Sequence, residues 1–172
     1  MKKNTAIIFL VLILALPVLA FNVDVTNVCF SPYGDCTEAI VNQIDNAKSE
    51  ILVQAYSFTS APIAKALVNA HKRGVHVEII LDKSNKSKKY SAGDFTAHMG
   101  VTTYIDSKHS IAHNKIIIID KETVITGSFN FTKAAEEKNA ENLLIIRNKK
   151  LAEIYIDNWY KHKEHSDRYE GR

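Results

Sequence analysis

Four consecutive isoleucines, Ile116 to Ile119, lie between Lys115 and Asp120 and constrain this chain more than any other stretch. Successive residues of a strand point to opposite faces, so this one is apolar on both and needs cover on both. That calls for a central strand in a sheet packed between helices. The flanking pattern agrees. Short β-rich runs are expected to be strands at 23–30, 50–58, 75–81, 101–105, 115–119, 123–126 and 143–146. Amphipathic stretches read as helices at 37–48, from Ser60 to Arg73, 94–99 and 150–161. In the first, Ile40, Ile44 and Ala47 share a face; the second has Ser60 as N-cap, Pro62 in its first turn and Gly74 at the C-terminal position that favours left-handed backbone. Strands separated by helices predict an α/β fold, an αβα sandwich around a mixed, mainly parallel sheet.

The first twenty residues read as an address. Lys2 and Lys3 precede an unbroken apolar run from Ala6 to Ala20, which ends in Val18-Leu19-Ala20, a small residue at the expected cleavage point. The run is shorter than the ~20 residues that span a bilayer and contains Pro17, which favours a cleaved signal over an uncleaved membrane anchor. A secreted or periplasmic domain over residues 21–172 is therefore expected, large enough for one core. Removing Lys2 and Lys3 leaves 20 basic and 19 acidic residues, so overall charge does not define a partner. Cys29 and Cys36 are the two cysteines. Export predicts a disulfide between them; retention in a reducing compartment would leave two buried thiols.

Chemistry concentrates downstream. His113-Asn114-Lys115, Asp120 and Gly127-Ser128-Phe129-Asn130 bring together an imidazole, a fixed cation, a hydroxyl and a carboxamide, with a glycine that permits close backbone approach. Such a set can handle a phosphodiester without metal. His113 and Lys115, two residues apart at the start of a strand, point to one face. His109 and His113 have i, i+4 spacing, but the β-branched run that follows opposes a helix and no third ligand is evident, so no metal or other cofactor is expected. Lys83, Lys86, Lys88 and Lys89, with Tyr90, follow the third strand; they suit either a nucleic-acid backbone contact or a solvated loop. The tail from Lys161 to Arg172 mixes both signs and is expected to fray.

The pattern His113-x-Lys115-x4-Asp120-x6-Gly127-Ser128-x-Asn130 resembles the HKD signature of the phospholipase D superfamily. Cys29-Phe30-Ser31-Pro32, Gln54-Ala55-Tyr56-Ser57-Phe58-Thr59, Asn130-Phe131-Thr132 and Glu141-Asn142 extend the resemblance to its small bacterial, metal-independent endonucleases. The resemblance implies that His113 attacks phosphorus to form a phosphohistidine that water then hydrolyses. Lys115, Ser128 and Asn130 would stabilise the phosphoryl oxygens. Glu141 is the candidate for orienting the ring of His113, and Gly127 lies where substrate would approach. Asp120, at the far end of the strand, is expected to support the fold rather than touch substrate. A single motif implies a homodimer in which two copies of His113 share one phosphate, one neutral and one protonated, with a bell-shaped pH profile.

Three functions follow from these readings. The leading one is an exported endonuclease that cuts DNA, or RNA, with contacts mainly to phosphate. The second keeps the chemistry on a phospholipid, because single-motif phospholipase D-like proteins of intracellular bacteria resemble the same stretch. The third is a binding module without catalysis.

Overall fold

The computed structural model describes residues 22–87 and 91–172. The expected signal at residues 1–20 lies outside the described residues, as do Lys88, Lys89 and Tyr90. Eight strands are present in this part of the chain: β1 (Asp24–Ser31), β2 (Glu50–Ala55), β3 (His76–Asp82), β4 (Thr102–Asp106), β5 (Lys115–Ile119), β6 (Thr123–Gly127), β7 (Glu141–Arg147) and β8 (Asp167–Tyr169). The helices are α1 (Cys36–Asn46), α2 (Ala61–Lys72), α3 (Ala92–His98), α4 (Lys133–Glu137) and α5 (Lys149–Lys163), with a 3-10 helix at Lys83–Ser87.

The strands form one sheet in the order β1-β7-β6-β5-β2-β3-β4-β8. It is mixed, as expected, but parallel pairing does not dominate. β2 with β3 and β3 with β4 are parallel; the other five neighbouring pairs are antiparallel. The reason is local. Parallel neighbours need a crossover, and helices α2 and α3 supply it between β2, β3 and β4. Between β5 and β6 there is only Asp120-Lys121-Glu122, with φ of 52° at Asp120 and 58° at Lys121 and a bond from the Glu122 N–H to the Ile119 carbonyl at 3.1 Å. Two successive left-handed residues make a hairpin turn, and a hairpin reverses the strand.

The isoleucine run lies at the centre of the sheet and all four residues are buried. Ile117 and Ile119 join the larger core with Ile40, Ile44, Ile63 and Leu67 of α1 and α2. Ile116 and Ile118 face α5, in the smaller core with Leu52, Ile80 and Trp159. Trp159, 1% exposed, donates from Nε1 to the Val53 carbonyl at 2.9 Å. This bond satisfies the indole N–H while the ring holds α5 against the sheet.

Helix boundaries follow their local chemistry. Ser60 precedes α2 with extended backbone but makes no side-chain cap bond, while Pro62 occupies the first turn. Gly74, at φ 91°, ends α2, and the N–H of Val75 reaches back to the Ala70 carbonyl at 3.1 Å. Asn148 caps α5 by accepting from the Leu151 N–H at 2.8 Å. Cys29 and Cys36 form the expected disulfide, which joins β1 to the start of α1. The tail does not fray: residues 167–169 form β8 and pair antiparallel with 103–105 of β4.

Candidate active site

Strand direction gathers the site. β5 and β7 begin at the end of the sheet where β1, β2, β3, β4 and β6 finish, so Ser31, Glu141, Gly127, Lys115, Ala55, Asp82 and Asp106 mark one common edge. Lys115 opposes Ala55, and Gly127 opposes Leu143. Signature residues far apart in sequence become neighbours here.

His113 is exposed, two residues before β5, and Lys115 is 8% exposed. The Lys115 ammonium donates to the His113 carbonyl at 2.8 Å and lies 3.2 Å from Nδ1 and 3.4 Å from Nε2 of the same residue. Tyr56 supports both: its ring centroid is 4.5 Å from that of His113 and 5.2 Å from the Lys115 ammonium. Burial pulls the Lys115 pKa below the ordinary lysine value, and the negative charge of Glu141 partly opposes that shift. The histidine and lysine also line an open depression with Asn114, Thr126 and Gly127, bounded by Ile154, Tyr155 and Asn158 of α5.

The Gly-Ser segment folds around Asn142. The N–H groups of Ser128 and Phe129 donate to the Asn142 carbonyl at 3.1 and 3.3 Å. A Cβ on Gly127 would lie 2.2 Å from that oxygen, so no larger residue fits without backbone movement. Ser128 Oγ accepts from the Asn142 backbone N–H at 3.1 Å and its side-chain amide at 3.3 Å. With both lone-pair directions used, the hydroxyl hydrogen is directed elsewhere and can be donated to a phosphoryl oxygen. Asn130 Oδ1 is buried and has no hydrogen-bond partner among the described residues.

Two expected residues stand apart from this chemistry. Asp120 follows the opposite end of β5, roughly 17 Å from Lys115 at strand rise. Its carboxylate accepts from the N–H groups of Lys48, Ser49 and Glu50 and from the Ser49 hydroxyl, all within 3.2 Å. Burial alone would raise its pKa, but these donors outweigh burial and lower it. Asp120 pins the α1–β2 connection to the β5–β6 turn. Glu141 lies at the site edge, yet its Oε1 accepts from Asn139 Nδ2 at 3.1 Å, and no bond joins it to His113 among the described residues.

Several supporting residues escaped the sequence reading. The Tyr56 N–H donates to the Asn114 carbonyl at 2.8 Å, and Asn85 Nδ2 donates to the Tyr56 carbonyl at 2.8 Å. Asp82 accepts from the Ala112 N–H at 2.8 Å and fixes the loop just before His113. Their signal was available only as the polar residues Asp82 and Asn85 following a β-branched run. Lys83 and Lys86 are exposed on the 3-10 helix, and Lys83 Nζ donates to the His109 carbonyl at 3.0 Å. The ring of His109 joins Asp106, His162 and His165 rather than His113.

Comparisons with known proteins agree with this architecture. Residues 40–162 match the family described as cardiolipin synthase, PLD-like domain. The chain belongs to the phospholipase D superfamily and is a phosphodiester hydrolase of that class. It is 50% identical over 135 residues to a phospholipase D of Rickettsia conorii, covering 78% of this chain and 68% of the relative. Among solved structures, Nuc of Salmonella typhimurium, a phospholipase D family member, superposes with a TM-score of 0.82 at 43% identity. That match covers 86% of this chain and 99% of Nuc. NucT from Helicobacter pylori gives 0.77 at 26% identity, covering 83% and 98%.

Proposed function

We propose that the protein is an exported, metal-independent endonuclease that hydrolyses DNA or RNA through a phosphohistidine at His113. The observation that carries the substrate assignment is the bond from Lys83 to the His109 carbonyl. It ties the segment bearing Lys83 and Lys86 to the loop that leads into His113, and exposed cations on that segment suit contact with a phosphate backbone. The groove that contains Phe95 and Met99 lies between α2 and α3 and includes none of the signature residues.

In the first step the unprotonated nitrogen of His113 attacks phosphorus, and the bond to the leaving oxygen breaks. Lys115 offsets charge on a non-bridging oxygen, while Ser128 and Asn130 serve as donors. The leaving alkoxide takes a proton from the protonated His113 of a second copy in a homodimer. Water then attacks the phosphohistidine, returning its proton to that second imidazole and freeing the first.

A second reading, phospholipase D acting on phosphatidylcholine or a related lipid, is favoured by the 50% identity to the Rickettsia conorii relative. Plasmid nicking and choline release from phosphatidylcholine vesicles, measured in excess EDTA with His113→Ala alongside, separate the two. Nicking that disappears in the variant supports the nuclease; choline release alone would transfer the same chemistry to lipid. If neither occurs, both substrate assignments fail and the binding-module reading gains ground. Equilibrium sedimentation tests the dimer.

A further inference from the structure

The end of β4 carries a second constellation, assembled from parts of the chain that the phosphate chemistry does not use. Asp106 is fully buried, and its Oδ2 lies 2.8 Å from Nδ1 of His162, 2.9 Å from Nδ1 of His109 and 3.3 Å from Nε2 of His165. The three imidazole rings also pack on one another, with centroids 4.8, 5.1 and 5.4 Å apart. One ligand-capable atom from each of the four residues falls within 4.8 Å of every other.

We propose that Asp106, His109, His162 and His165 form a structural site for a divalent transition metal of the zinc class. Three imidazole nitrogens and one carboxylate oxygen are a ligand set that zinc accepts in tetrahedral geometry. Bonds of about 2.0–2.1 Å place tetrahedral donors about 3.3–3.4 Å apart. The two shorter separations from the Asp106 oxygen open by about half an ångström to reach that spacing, and donor atoms as far apart as 4.8 Å close toward it. Side-chain exposure rises from 0% at Asp106 to 15% at His162, 21% at His165 and 44% at His109. The carboxylate forms the floor and His109 the open side through which an ion enters.

The ligands come from separate segments: the end of β4, the loop toward His113, the last turn of α5 and the link to β8. One ion would therefore tie the C-terminal segment to the loop that carries the nucleophile. It would lie outside the phosphate site, because none of its four residues lines the depression that holds His113 and Lys115. The site is compatible with hydrolysis that needs no metal.

Untagged protein, stripped with chelator and dialysed against zinc, should retain about one zinc per chain by elemental analysis. Cobalt in its place should give the intense visible absorption of a tetrahedral ion. At saturating zinc the Tm should rise by about 5 °C or more. The variants His162→Gln and His165→Gln should lose the cobalt band and the Tm increase, whereas His71→Gln should keep both. If His162→Gln does not fold, His165→Gln remains the test, since its bond to Asp106 is the longest of the three. Wild-type protein that retains little zinc and shows no cobalt band would overturn the proposal. So would a folded His165→Gln variant with an unchanged band. The cluster would then be an array of imidazoles hydrogen-bonded around a carboxylate.

Discussion

The two ends of β5 carry residues of one signature and treat them in opposite ways. At the start of the strand, His113 is exposed and Lys115 directs its ammonium toward His113, in a depression open to a ligand. At the far end, the Asp120 carboxylate is occupied by four donors from residues 48–50. The first end leaves interaction capacity for substrate, and the second spends it on the fold. A motif that looks uniform in sequence therefore combines chemistry with architecture.

Substitutions should separate these functions. His113→Ala should produce the largest effect, reducing phosphodiester hydrolysis by about 10⁴-fold or more with little change in Tm, because the proposed nucleophile is lost from an exposed position. Lys115→Met should cost about 10²- to 10³-fold in kcat, measured on the same substrate, since a charge-stabilising donor disappears from the site. Asp120→Asn should reverse the pattern. Urea unfolding should show a loss of about 2–3 kcal/mol, with kcat per folded molecule within about twofold of wild type.

The pH dependence of that loss has a defined sign. The Asp120 pKa is lowered by folding, so its stabilisation is complete above the unfolded value, near ~3.9, and disappears as pH falls through the folded value. Wild type and Asp120→Asn should converge in stability under strong acid. A variant as inactive as His113→Ala but fully stable would show that Asp120 belongs to the chemistry after all. Ser128→Ala should lower kcat by about tenfold through loss of one hydroxyl donor. Glu141→Gln should have the smallest effect. Removing the charge that opposes the depression of the Lys115 pKa should lower that pKa further, measured by NMR titration of the Lys115 side chain. A rise in that pKa would contradict the coupling.

The central strand was legible because Ile116 to Ile119 leave no polar face, and α2 because Ser60, Pro62 and Gly74 bracket it. Strand direction was less visible. The apolar pattern of β5, β6 and β7 is the same whether neighbours run parallel or antiparallel, and the three residues after Ile119 had to be read as a turn to decide it. β8 was missed because Asp167-Arg168-Tyr169 has no alternation long enough to register, and α4 because Lys133–Glu137 is little more than one turn. The shared face of His113 and Lys115 and the remote position of Asp120 could be read from spacing alone. Tyr56, Asn85 and Asn142 could not, since their contacts with His113, Tyr56 and Ser128 are made only in three dimensions. His162 and His165 were assigned to a tail with no apolar signal, so their meeting with Asp106, more than fifty residues away, left no local trace.

The short strand β8 has a consequence for how these molecules behave in company. Without β8 the sheet would end on one side at β4, whose outer backbone groups would form an open template for strands from other chains. Three residue pairs with β8 occupy that rim, and the Tyr169 hydroxyl donates to Asp94 to hold the covering segment down. A C-terminal segment that resembles surplus length thus acts as a guard rail. Its loss would leave the catalytic edge intact while making the protein prone to stick to itself.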